Sequence, residues 1–153
     1  MSELGYDGHS AKGGFLPPVA LPRRMWAGGQ LQFLTPLTIG EKVQRRSTIA
    51  DISFKQRGTG SLAFVVVQHE ITGSNDGHIL EEHNIVYREP AHPDAPLPKP
   101  FSAPSDAQWS RIIQPSEVLL FRYSALTFNG HRIHYDRSFC TEQEGYNGLV
   151  VHA

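Results

Sequence analysis

Cysteine is nearly absent: Cys140 is the single one in 153 residues. No internal disulfide can form, so a reducing, cytoplasm-like compartment is expected, or a mitochondrial one if the source is eukaryotic. No apolar run approaches the roughly 20 residues of a membrane-crossing helix, and no membrane partner is expected. The opening Met1-Ser2-Glu3-Leu4-Gly5-Tyr6 has no basic end leading into an apolar stretch, so no secretory signal is expected either. An excess of either charge is also missing. Fourteen basic against fifteen acidic residues leave a formal net charge of -1, which removes the electrostatic footprint of a nucleic-acid binder. Hydrophobic residues reach only 39%, below the usual share. The length allows one sizeable core or two incomplete ones.

Glycine (14) and proline (11) are abundant instead, and the prolines are bunched, which marks linkers. Residues 1–24, with Gly13-Gly14 and Pro17-Pro18, read as an irregular arm. Residues 25–89 read as an antiparallel meander of about four strands. Leu31 and Phe33 begin it, with Pro36 as a break. Between Val43 and Lys55 the alternation places Thr48, Ala50, Ile52 and Phe54 on one face, and Asp51, Ser53 and Lys55 on the other. Gly58-Thr59-Gly60 is a turn, Leu62 to Val67 a buried strand, and Asn75-Asp76-Gly77 a hairpin signal. His78 to Arg88 returns, with Ile79, Ile85 and Tyr87 on one parity. Such a sheet has an apolar face that needs a cover, and no amphipathic helix precedes it. Pro90, Pro93, Pro96, Pro98, Pro100 and Pro104 make residues 90–113 a stiff linker, with a short helix expected over Asp106–Ile113 around Trp109. Residues 114–153 open a second unit. Ser116–Thr127 reads as a strand running into a polar cluster, and Leu149-Val150-Val151 starts an apolar segment.

The chemistry concentrates in that cluster, Phe128-Asn129-Gly130-His131-Arg132-Ile133-His134-Tyr135-Asp136-Arg137. Imidazole is the side chain suited to proton traffic near neutral pH. Asn129 can donate and accept at once, and such a set is costly to bury unless its members satisfy one another. Each residue also has a plain structural reading. His134 could simply bond a backbone carbonyl, Asn129 could be a left-handed turn residue beside Gly130, and Asp136 a helix cap or an ion-pair partner of Arg137. His131 stands open between a place in the site and a solvent-facing ring. His131, His134, Asp136 and Cys140 are zinc-type ligands, but no second spaced pair accompanies them, and no metal or other cofactor is expected. A Cys140–His134 nucleophilic pair lacks a third partner. Arg23, Arg24 and Trp26 suit phosphate and a flat base, but the favoured reading is an arm that packs Trp26 on the sheet with solvated arginines. His9, His69, His78, His83 and His92 read as surface or turn residues.

Three stretches resemble the MaoC-type hot-dog hydratases and dehydratases, in the branch that includes mesaconyl-CoA hydratases and type 2 hydroxyacyl-thioester dehydratases. They are Leu21-Pro22-Arg23-Arg24-Met25-Trp26-Ala27-Gly28-Gly29, the cluster from Phe128 to Asp136, and Gly145-Tyr146-Asn147-Gly148-Leu149-Val150-Val151-His152. The resemblance implies an α+β hot-dog fold, and two such units per active site, each an antiparallel sheet wrapped around a long helix. On that pattern the chain is expected to be a fragment of a double hot-dog. Its first sheet (25–89) lacks its helix, and its second unit stops where a helix should start.

The resemblance further implies a hydro-lyase that adds or removes water at the 2,3 position of an acyl thioester, carried on coenzyme A or a carrier protein. The family's catalytic histidine falls on His134. Its aspartate, five residues earlier, falls on Asn129, its asparagine on His131 and its proline on Arg132. His134, Asn129 and Asp136 are therefore the expected catalytic residues: acid–base, orientation of water or carbonyl, and tautomer control or second proton carrier. His131, Tyr146 and Ala153 are the expected substrate-binding residues, the last through its backbone N–H. A homodimer or larger assembly is expected. The competing classes are a non-catalytic thioester-binding or dimerisation fragment, and a thioesterase.

Overall fold

A computed structural model describes residues 4–57, 60–90 and 101–152. The first two residues of the expected Gly58-Thr59-Gly60 turn, the linker prolines Pro93, Pro96, Pro98 and Pro100, His92 and Ala153 lie outside the described residues. The chain divides into two compact units. One is Lys12–Pro90, and the other combines Met1–Ala11 with Ala91–Ala153.

The first unit is a single antiparallel sheet of β1 (Arg23–Thr35), β2 (Val43–Arg57), β3 (Gly60–Gly73) and β4 (His78–Arg88), in the order β1-β4-β3-β2. Only β2, β3 and β4 form the expected meander. The connection through Pro36 carries the chain from β1 to the far edge, so β1 pairs with β4. Strand β1 also starts earlier than Leu31, already at Arg23. Arg24 is buried and lies in register with Tyr87. The β3–β4 turn centres on Asp76, at φ 64, followed by Gly77, and Gly73 N–H donates to the Gly77 carbonyl (2.7 Å).

A bulge corrects the face assignment in β2. Register shifts between Ile49 and Asp51, leaving Ala50 as the extra residue. Beyond it, Ile49 opposes Val67 just as Ile52 opposes Val65, so Ile49 joins Ile52 and Phe54 on one face and Thr48 moves to the other. That face carries the core: Ala63, Val65, Val67 and Tyr87 are essentially inaccessible. Its partial cover is irregular chain. Leu16 and Val19 are buried against it, with Leu21, Ile49 and Ile85 around them. Lys12 pins this cover, donating from Nζ to the carbonyls of Val19 (2.8 Å) and Leu21 (3.0 Å).

In the second unit, Phe101 to Pro115 forms neither helix nor strand, so the helix expected over Asp106–Ile113 is absent and Trp109 is exposed. The strand expected over Ser116–Thr127 is instead a helix, α1 (Glu117–Thr127). Ser116 caps it, its Oγ accepting from Leu119 N–H (3.2 Å). Both parities of this run are apolar, so alternation carries no information there. The informative spacing is Leu120 to Ser124, the buried pair one helical turn apart.

Truncating Val65→Ala removes two buried methyl groups from the sheet core. It should destabilise the protein by about 2 kcal/mol, whereas Ile112→Ala, at an almost fully exposed position, should shift it by less than about 0.5 kcal/mol. Denaturant midpoints of the two variants check this.

Candidate active site

Helix α1 stops because Phe128 adopts the left-handed conformation (φ 53, ψ 27). Phe128 N–H donates to the Ala125 carbonyl (3.4 Å) and Asn129 N–H to the Ser124 carbonyl (3.0 Å), which closes the last turn and redirects the chain. The Asn129 side chain then makes the next turn, its Oδ1 accepting from His131 N–H (3.1 Å). A 3-10 turn follows at Arg132–His134, with His131, Ile133 and His134 buried. Asp136 ends the run. One oxygen accepts from Phe139 N–H (3.0 Å), and the other takes Arg132 Nε (3.0 Å) and Nη2 (2.7 Å). The Phe139 amide first and the Arg132 guanidinium second hold this carboxyl below its usual range, so Asp136 remains an anion.

His134 is fixed by the segment that returns from Gly148. Its Nδ1 donates to the Val150 carbonyl (2.7 Å), while Val150 N–H donates to the Ile133 carbonyl (2.9 Å). The neutral ring is thereby set with its proton on Nδ1 and its lone pair on Nε2. Burial lowers the His134 pKa, and the bond to Val150 opposes that shift. Two more rings contact this imidazole, and a third lies against one of them. His152 stacks on it at 3.8 Å and 19°, His131 meets it edge-on at 5.6 Å, and Tyr123 tilts against His152 at 4.6 Å. The His152 Nε2 hydrogen-bonds to Ser124 Oγ at 2.8 Å. Burial, and then the charge of His134, lower the His152 pKa.

The first residues of the chain complete the setting. Leu4 and Ser10 bridge a tight loop, and Asp7 and Tyr6 in it accept from Arg132, through its backbone N–H (2.9 Å) and Nη1 (2.9 Å). Gly8 sits at φ +86, and a Cβ on either Gly8 or Gly130 would collide with the other's carbonyl oxygen. This close approach needs glycine on both sides. His9, half-buried in this loop as the turn reading allows, lies 4.5 Å from His131. Beneath the loop, Ile133, Phe139 and Cys140 form a small core with Tyr146, Leu149 and Val150.

Of the expected site residues, His134 and His131 are brought together. Asn129 borders them but spends its oxygen on the turn. Asp136 pairs with Arg132, not Arg137, and the group that sets the His134 tautomer is the Val150 carbonyl. Arg137 pairs with Glu117 instead. Tyr146 packs against the small core. Among the described residues no group of three or more His, Cys, Asp or Glu is arranged to hold a metal ion. Cys140 is buried, its thiol donates to the Gly148 carbonyl (2.7 Å), and burial raises its pKa. Ser124, Tyr123 and His152 were not expected in the site. His152 closes a quoted motif, but its link to Ser124 spans 28 residues and exists only if 117–127 is helical.

His134, His152 and His69 all have pKa values below 6.5 in the fold, each mainly through burial. A lowered histidine binds fewer protons folded than unfolded, so stability is full above the unfolded value and declines as pH falls through it. Unfolding free energy should therefore drop between about pH 7.5 and pH 5, and the His134→Gln variant should show a shallower drop. Urea titrations at both pH values check the sign.

The family model for hydroxyacyl-thioester dehydratase type 2 matches residues 1–153. The chain is 49% identical over 153 residues to mesaconyl-C(4)-CoA hydratase of Chloroflexus aurantiacus, covering 99% of this chain and 54% of that protein. It is 28% identical over 173 residues to the mitochondrial hydroxyacyl-thioester dehydratase type 2 of Schizosaccharomyces pombe, covering 98% of this chain and 57% of that one. The chain thus spans about half the length of the curated relatives it matches. Among solved structures, HtdX from Mycobacterium tuberculosis superposes with a TM-score of 0.62 at 15% identity, over 85% of this chain and 50% of that one. A MaoC-like dehydratase from Phytophthora capsici gives 0.56 at 18% identity, over 91% and 50%. The fold is the hot-dog fold, and the chain belongs to the hydroxyacyl-thioester dehydratase type 2 family.

Proposed function

We propose that this chain carries the acid–base half of a hydro-lyase that adds water reversibly to the 2,3 double bond of an enoyl thioester. The observation that carries the reading is the Nδ1 bond from buried His134 to the Val150 carbonyl, which leaves Nε2 as a lone-pair base at neutral pH. In the hydration direction Nε2 takes a proton from water and the hydroxide adds to C3. The imidazolium then delivers that proton to C2, so water is consumed whole and the ring returns to its starting state. Asn129 orients the water or the thioester carbonyl through its amide nitrogen. Asp136 supports the site by holding Arg132 and the turn at Phe139. His131 and Tyr146 flank the substrate, and Ala153 N–H is the proposed carbonyl donor. The names of the two relatives support an acyl-CoA or hydroxyacyl thioester as substrate.

The enoyl-thioester ultraviolet band of crotonyl-CoA and mesaconyl-CoA should decay in the presence of the protein. His134→Ala should lower kcat by about 10²–10⁴-fold with little change in KM. Retention of most turnover by that variant would remove His134 from the chemistry.

The assembly we propose is a homodimer or larger, without nucleic-acid or membrane partners, in a reducing compartment. No helix among the described residues is long and apolar enough to cross a membrane. The core face of the sheet also carries Trp26, Leu31, Phe33 and Phe54, all more than half exposed. An apolar face of this extent favours association. Sedimentation should show a species of at least twice 17.0 kDa, and a monodisperse monomer would contradict it.

A further inference from the structure

His152 satisfies none of the functions assigned above, yet it is the side chain in closest ring contact with His134, stacked at 3.8 Å and 19°. Stacking of this kind fixes the plane of a ring without consuming either of its nitrogens. The two nitrogens of His134 are therefore governed separately: Val150 holds Nδ1, and the stack holds the plane that aims Nε2. His152 is itself anchored, because Ser124 Oγ lies 2.8 Å from its Nε2 and Ser124 is a buried residue on the last turn of α1. The helix end, the histidine turn and the Gly148–His152 return are thus joined through two imidazoles.

We propose that His152, tethered by Ser124, is a positioning residue for His134, holding the imidazole in the one plane in which its Nδ1 meets the Val150 carbonyl and its tautomer stays fixed. The proposal rests on the acid–base assignment of His134, but part of its test does not.

The pair has a second property. Two imidazoles in face contact resist carrying two protons at once, and the charge of His134 accordingly lowers the His152 pKa. The other titratable groups facing the pair are His131, edge-on to His134 with His9 behind it, Tyr123, tilted against His152, and the Arg132–Asp136 ion pair. A proton on His134 therefore opposes one on His152.

The test uses nitrogen-15 imidazole spectra of the whole chain and the hydration assay in parallel. In the native protein at neutral pH His134 should show a single Nδ1–H tautomer. That signature should become tautomer-averaged in His152→Ala and be restored in His152→Phe, which keeps a ring in the stack. Replacing the other partner, His134→Phe, should raise the pKa of His152. In the assay, His152→Ala should lower kcat by about tenfold or more with KM within about threefold, and His152→Phe should recover a large part of it. Ser124→Ala should lie between native and His152→Ala. An unchanged His134 tautomer in a folded His152→Ala protein would overturn the proposal, as would a His152 pKa indifferent to His134→Phe. These spectra read the stack without turnover, so an inactive chain with the expected spectra would count against the hydratase reading alone.

Discussion

The arrangement of the site depends on one hydrogen bond, from His134 Nδ1 to the Val150 carbonyl. A neutral imidazole has one proton and one lone pair, so committing the proton commits the other nitrogen as a base. The reciprocal bond from Val150 N–H to the Ile133 carbonyl makes the contact a two-point clamp between the histidine turn and the Gly148–His152 return. Small-core packing of Ile133, Phe139 and Cys140 against Leu149 and Val150 keeps water from competing for it.

Charge is managed by keeping it outside this clamp. Arg132 and Asp136 face each other across one helical turn, and Arg132 also reaches the carbonyl of Tyr6, so the strongest charges near the motif are already satisfied. Burial can then act on His134 without an opposing carboxylate, which is why its pKa moves down. A carboxylate bonded to the ring would move it the other way, making Nε2 more basic but leaving less of it unprotonated at neutral pH. The asparagine at position 129 fits this arrangement, since its carboxamide serves the turn through His131 N–H and brings no charge.

Much of the fold was legible because local rules act locally. Asn75-Asp76-Gly77 announced a hairpin, and Leu62 to Val67 announced a strand whose alternate residues Ala63, Val65 and Val67 are buried. The failures were of two kinds. Ser116–Thr127 carries apolar residues at both parities, so periodicity does not separate strand from helix there, and the helix signal is the cap at Ser116. The bulge at Ala50, the pairing of β1 with β4 and the cover supplied by Leu16 and Val19 depend on contacts between distant residues. No local pattern encodes them.

The same division holds in the site. By itself the sequence determined where the polar cluster lies, at 128–137, and its three family-like stretches are matched by the family model over residues 1–153. It also singled out His134, through the family resemblance, as the proposed acid–base residue. Only the tertiary structure decided what each partner does: that Val150 rather than Asp136 sets the tautomer, that Asp136 serves Arg132 and Phe139, and that Ser124 and His152 join the site. The physical reason is directional. A hydrogen bond or a ring stack needs two groups within about 3–4 Å at the right angle, and residues 16 or 28 positions apart meet that condition only after the chain has folded.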